Sequence, residues 1–345
     1  MSTHRFDGCT LTGALSITTQ VTDGVTIVHG PAGCAHHNFS LLHATLQESG
    51  EALAPHLISS RLDEESIIFG GEEALEQTIR SAISMDAQSV FVVSTCIADT
   101  IGDDVGAVCA ADWDVPVIYI PTSGFFGGAF HHGLLQALLS ISQISNSATS
   151  GDKKTVTLIG EKNLEFEVEE NYQEMERLLT LLGLKVGIRY VRNQKTSVLT
   201  GLGDGSLNIL REPDLTSIGR DLEKRFQIPF LPSFPVGLKG TLEFLEDVGD
   251  ICRVESSRSI ENANALQEEM LEDFSDLEGE VVSIVRPSPL VEMEPACISL
   301  VEEIVPRLGM RLDLQGVALP LPVTAPVGTA GVRRLLHRWR RIIHA

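Results

Sequence analysis

Cys9, Cys34 and Cys96 are the residues of this chain with the clearest capacity for chemistry. Each lies in a glycine-rich stretch at the edge of a strand–helix pattern, and no two are close enough in sequence to form a CxxC-type clip. If three separate loops bring them together, the converging thiolates supply what an iron–sulfur cluster needs. A fourth ligand then comes from elsewhere, most economically from a second subunit. The competing reading is packing, because free cysteine is among the most buried residue types. Cys109, Cys252 and Cys297 take that reading, Cys109 and Cys297 at apolar positions of predicted helices over 103–111 and 295–308.

The elements that must position the three cysteines follow from the pattern around them. Residues 25–29 (VTIVH) are a β-rich run ending in the turn Gly30-Pro31-Ala32-Gly33. Residues 89–94 and 115–120 are near-continuous apolar runs, as in a parallel sheet covered on both faces. Helical patterns cover 72–85 and 130–144, and the alternation predicts a doubly wound α/β domain over 1–150. Small polar residues at 145–154 read as a linker.

A second α/β domain, 151–255, is expected to carry strands at 155–159, 184–191 and 207–210. Its helices fall at 167–182 and 215–226, with an exit at 228–234. It resembles half of a Rossmann sheet, yet Gly201-Leu202-Gly203 runs into Asp204-Gly205 and no GxGxxG fingerprint is present. Residues 256–345 open on an acidic, solvated helix at 259–276, followed by a strand at 280–285 and the helix at 295–308. Pro320, Pro322 and Pro326 then break the pattern, and this third unit is expected to be incomplete. The last segment carries Arg333, Arg334, Arg338, Arg340 and Arg341 without an acidic residue. It reads either as an amphipathic helix for an acidic partner or as the product of an altered reading frame.

Composition narrows the function. The 345 residues are 43% hydrophobic and carry a formal net charge of −21. That charge argues against nucleic acid, which needs a basic surface. No window is long and apolar enough for a membrane span, and no signal peptide opens the chain, so a cytoplasmic protein with reduced thiols is expected.

The motifs point further. Phe6-Asp7-Gly8-Cys9, His29-Gly30-Pro31-Ala32-Gly33-Cys34, Phe69-Gly70-Gly71-Glu72, and Ser94-Thr95-Cys96 with Ile101-Gly102-Asp103-Asp104 occur in one order. The set resembles the nitrogenase component 1 superfamily. That superfamily holds the nitrogenase α and β chains, their cofactor-assembly scaffolds, the dark-operative protochlorophyllide and chlorophyllide reductases, and the nickel-sirohydrochlorin a,c-diamide reductive cyclase. Gly124-Phe125-Phe126-Gly127 resembles its GFxG turn, and 208–228 before Pro229 resembles its second-domain strand–helix–IP element. A cysteine at the place of Cys9 is a feature of the α-chain, scaffold and chlorophyll-reductase branches.

The resemblance implies an α/β fold of two to three Rossmann-like, doubly wound parallel-sheet domains. It implies that Cys9, Cys34 and Cys96 bind a 4Fe–4S or larger cluster at a subunit interface, completed by a Cys or Asp of the partner. That partner is an identical chain or a homologous one. Gly30 and Gly33 would let backbone approach the cluster, their amides bonding sulfide. A separate Fe-protein-type ATPase would deliver electrons, and only that partner would bind ATP, since this chain has no GxxxxGK(S/T) loop.

The expected function is the cluster-bearing catalytic component of such a two-component reductase, acting on a small molecule or tetrapyrrole. The alternative is a non-enzymatic scaffold for metallocluster assembly. In a dinitrogen-reducing α chain a second-domain cysteine anchors the large cofactor. Here Glu212-Pro213 follow Asn208-Ile209-Leu210-Arg211, and the region of the cofactor's histidine ligand has no counterpart in so short a chain, so dinitrogen reduction is not expected.

His36-His37 and His131-His132 either serve a substrate, as proton donors or metal ligands, or cap and pack. His29 is expected to bond loop carbonyls, and Asp103-Asp104 to cap a helix.

Overall fold

The computed structural model describes residues 8–48, 54–122, 128–145, 154–165, 167–285, 295–322 and 324–345. The Gly124–Gly127 turn and most of the expected linker lie outside them.

The first unit runs α1 (Thr10–Thr18), β1 (Gly24–His29), α2 (Ala32–Glu48), β2 (Leu57–Ser59), α3 (Glu64–Phe69), α4 (Glu72–Ser84), β3 (Ser89–Ser94), α5 (Cys96–Ile101), α6 (Val105–Cys109), β4 (Val117–Ile120) and α7 (Phe130–Ser142). Its sheet is parallel, in the order β2-β1-β3-β4. Every residue of β1 and β3 is buried, which is why their apolar runs do not alternate. Helix α1 is buried at every position as well. It crosses α7 so closely that a Cβ on Gly13 would overlap the Phe130 carbonyl, and one on Gly133 the Thr10 carbonyl. Two glycines therefore let the two backbones touch.

The second unit runs β5 (Thr155–Ile159), α8 (Val168–Leu181), β6 (Lys185–Tyr190), α9 (Thr196–Leu199), β7 (Leu207–Leu210), α10 (Thr216–Phe226), β8 (Phe230–Leu231) and α11 (Gly237–Cys252). Its sheet is again parallel, ordered β6-β5-β7-β8. One apolar core contains Val28, Phe91 and Ile120 of the first sheet together with Ile159, Tyr190 and Leu210 of the second. Hydrogen bonds join the units too, among them Tyr190 Oη to Leu138 O at 2.7 Å and Thr196 N to Asp23 Oδ1 at 2.7 Å.

The third unit comprises α12 (Ser257–Glu272), β9 (Val281–Val285), α13 (Pro295–Arg307), β10 (Arg311–Leu312), β11 (Val317–Pro320) and α14 (Gly328–Ile343). Among the described residues its sheet has three parallel strands, ordered β10-β9-β11, where each of the other sheets has four. Helix α12 is not simply solvated: it buries Ala263, Gln267 and Met270, and Gln267 donates to Leu238 O at 2.9 Å.

The arginine-rich segment is the amphipathic helix α14. Val332, Leu335, Leu336 and Trp339 are buried in the third core. The acids it meets belong to this same chain. Arg334 and Arg338 pair with Glu167, Arg333 with Asp273, and Arg340 with Asp276. No helix among the described residues is long and apolar enough to cross a membrane.

Candidate functional site

In the first sheet, chain order reverses between the neighbouring strands β1 and β3, and the crevice outside their carboxyl ends is where open α/β sheets bind ligands. Two of the predicted cysteines sit on the loops there. Cys34 is the third residue of α2, after β1, and Cys96 is the first residue of α5, after β3. Cys9 reaches the same place as the N-cap of α1. All three thiols thus stand at helix N-termini.

Hydrogen bonds fix the three loops to one another. Thr10 donates to Thr122 O at 2.6 Å, and Thr122 donates to Ser94 O at 2.5 Å. The Thr95 amide donates to His29 O at 3.0 Å, and Cys9 forms a β-bridge with Ala129.

The sulfurs feel one another. Burial pushes the Cys34 thiol up, and the charges of Cys9 and Cys96 push it further. Gathered thiolates repel one another, and a bound cation relieves such repulsion. Among the described residues no three or more His, Cys, Asp or Glu are gathered tightly enough for a single metal ion. Cys9 is exposed and Cys34 and Cys96 are half-buried, so the site opens outward.

The two predicted glycines differ. A Cβ at Gly33 would meet nothing within 4 Å, which leaves open space beside Cys34. At Gly30 that space is filled by the Thr95 side chain, and the Gly30 amide donates to Ser60 Oγ at 3.1 Å. Gly30 therefore serves close packing within the chain, and its amide is committed there.

His29 lies behind these loops and bonds side chains, not carbonyls. Its Nδ1 is 3.0 Å from Ser60 Oγ and its Nε2 2.9 Å from Asp103 Oδ2. Burial lowers its pKa, against the raising effect of Asp103. The other oxygen of Asp103 accepts the Gly71 amide at 2.9 Å. Only Asp104 caps α6, accepting from Ala107 N at 2.9 Å. His36 and His37 are exposed on α2, where His36 borders a cleft of about 770 Å³ with Phe39, Leu57 and Arg61.

Chain order in the second sheet reverses between β5 and β7, and sequence reasoning missed what gathers there. Lys162 follows β5 and Glu212 follows β7. Lys162 Nζ is 2.6 Å from Glu212 Oε2, and His131 Nδ1, from α7, is 3.2 Å from Oε1. Burial alone would raise Glu212, but the His131 hydrogen bond and the Lys162 charge outweigh it and hold the carboxyl at about 2. The bond to Glu212 raises His131, whose Nε2 is buried without a hydrogen-bond partner among the described residues. Beside this cluster Arg211 pairs with Glu165, which also accepts from Thr324. The sequence showed Glu212 only as the absence of a cysteine; its partners come from residues far away along the chain.

Comparisons with known proteins agree with this architecture. The model of the nitrogenase component 1 type oxidoreductase family matches residues 9–295. The nitrogenase iron-molybdenum cofactor biosynthesis protein NifE of Clostridium pasteurianum is 27% identical over 281 residues, 79% of this chain and 59% of that protein. The NifE protein of Methanococcus maripaludis is 28% identical over 302 residues, 82% of this chain and 60% of its own length. The nitrogenase molybdenum-iron protein alpha chain of C. pasteurianum is 25% identical, over 70% of this chain and 46% of that one. The chain thus spans about 60% of the length of the first two relatives. The solved structure "Nitrogenase Cp1 at pH 5" superposes with a TM-score of 0.69 at 20% identity, over 90% of this chain and 65% of that one, and shares the fold. With its family model matched across the first two sheets and into the third unit, the chain belongs to the nitrogenase component 1 type oxidoreductase family.

Proposed function

We propose that this chain is a metallocluster-bearing scaffold subunit, in which Cys9, Cys34 and Cys96 hold a 4Fe–4S or larger cluster at a seam with a second, identical or homologous chain. The observation that carries the proposal is the meeting of the three thiols outside β1 and β3, with open space at Gly33 and an outward-facing Cys9. Such a cluster supplies reversible electron storage; this chain supplies thiolates, helix N-termini and a half-buried wall. The partner completes the ligand set. Ile68 and Phe69, 73% and 81% exposed at the end of α3, offer apolar surface to a second protein. The six free cysteines suit a reducing cytoplasm.

The assembly role follows the similarity to cofactor biosynthesis proteins. It also accounts for Glu212: a carboxylate clamped by Lys162 and His131 stands where a thiolate would anchor a large catalytic cofactor. A second reading, favoured by the likeness to a nitrogenase alpha chain, is the electron-accepting component of an ATP-dependent reductase fed by an Fe-protein-type ATPase.

Anaerobic purification with iron and sulfide analysis and low-temperature EPR tests the cluster. A colourless, iron-free preparation made with its partner chain present sinks the proposal. Incubation with an Fe-protein-type ATPase, ATP and dithionite separates the readings: a scaffold accumulates and releases cluster, whereas a reductase consumes reductant continuously.

A further inference from the structure

Four polypeptide segments meet at the buried pair His29–Asp103, whose side chains are 0% and 2% exposed. His29 ends β1, the strand that leads to Cys34. Asp103 follows α5, the helix that begins with Cys96. Ser60 follows β2, and Gly71 is the N-cap of α4.

The hydrogen bonds run in one direction. Asp103 is acceptor-only, so His29 Nε2–H donates to it at 2.9 Å, and the Gly71 amide fills its second oxygen. Ser60 Oγ accepts from the Gly30 amide, which leaves its hydroxyl proton for His29 Nδ1. A neutral imidazole protonated on Nε2 satisfies every partner. Gly71 must lack a side chain, because a Cβ there would lie 2.7 Å from Asp103 Oδ2 and 3.1 Å from His29 Cε1.

The bond order Ser60–His29–Asp103 is that of a hydrolytic triad. Ser60, however, is 8% exposed and its oxygen is tied to Gly30, so no nucleophile is presented.

We infer that His29 and Asp103 are positioning residues which set the separation of the Cys34 and Cys96 loops before any cluster binds. The inference rests on the proposed thiol site. The pair joins the β1 segment to the segment after α5 by a side-chain hydrogen bond. Without it the α5 loop keeps the Thr95 contacts to His29 O and Ala98 N, and Asp104 N still donates to Glu72 Oε1 at 2.9 Å, but the far end loses its side-chain tie to β1.

The test uses full-length, reduced, iron-free protein and a short thiol-bridging reagent, dibromobimane, with the Cys34–Cys96 crosslink mapped by mass spectrometry. Wild type is expected to crosslink readily. Asp103→Ala is expected to slow crosslinking roughly tenfold, the scale of a misplacement near 1 Å or less. Asp103→Asn, which still accepts from His29, should restore part of the rate. Leu336→Ala, in the third core, should lower Tm without changing the rate.

A D103A rate equal to wild type overturns the positioning role while leaving the thiol site standing. Equal slowing in L336A also overturns it, because general loosening then explains the effect. Wild-type protein that never crosslinks removes the thiol site itself, and the positioning role with it.

Discussion

At the carboxyl edge of the first sheet the strands lead into cysteines backed by a neutral, buried histidine. At that of the second they lead into Lys162, Glu212 and Arg211, with His131 reaching across from α7. The two sheets share one strand order, 2-1-3-4 by position in each unit, and both place their loops at the switch point. Topology supplies the crevice; side-chain type decides its chemistry. The first edge presents soft sulfur. The second has filled its crevice with internal ion pairs. The contrast extends to the histidines: burial lowers His29, whereas Glu212 raises His131.

The largest expected effect separates the two edges outright. Cys34→Ala should abolish iron binding in anaerobically prepared protein, while Glu212→Gln should leave the iron content unchanged. Iron lost equally from both variants would mean that the two crevices form one site.

Next comes stability. Glu212→Ala removes a carboxylate, 13% exposed, that Lys162 and His131 share, and breaking so buried a pair costs about 3 kcal/mol in denaturant unfolding. Replacing Lys162 and Glu212 together by apolar residues of similar size should recover much of that loss, because the desolvation penalty goes with the charges.

A smaller effect distinguishes the histidines by pH. With a lowered pKa, His29 contributes stability that is complete above its ordinary value of 6.5 and is lost as pH falls through its folded value. His131, raised, contributes below 6.5 and loses that contribution as pH rises through its folded value. Tm profiles between about pH 5 and about pH 8 should therefore change on opposite sides, the acidic limb flattening in His29→Gln and the alkaline limb in His131→Gln. Profiles that shift alike would erase the distinction.

The smallest effect lies away from both edges. Arg333→Ala breaks a half-exposed pair with Asp273, 49% and 54% exposed, and should change stability by about 0.5 kcal/mol or less.

Much of this was legible in the sequence where the signal is local. The strand at 207–210 and the helices over 72–85 and 295–308 follow from apolar runs and periodicity, and the structure differs only at their ends. Helix α1 was invisible because a helix buried on every side has no polar face to mark its period. Strand β11 was hidden among prolines that read as a break, though Pro320 closes the strand at its last position.

The three cysteines were legible by type and glycine context. The roles of His29 and Glu212 were not. Their partners, Asp103 for one and Lys162 with His131 for the other, come from other elements and leave no pattern in a single chain. The arginines of α14 suggested an outside acid for the same reason: Glu167 and Asp273 are neighbours only once the third unit folds back.

The glycine crossing of α1 and α7 ties the two edges mechanically. Cys9 precedes one of these helices and His131 opens the other, and at Gly13 and Gly133 main chain rests on main chain with no side chain to yield. Sliding one helix past the other would drive carbonyl oxygen into α-carbon. The helix that Cys9 caps and the helix that His131 opens therefore share one tight backbone crossing, with no side chain between them to repack.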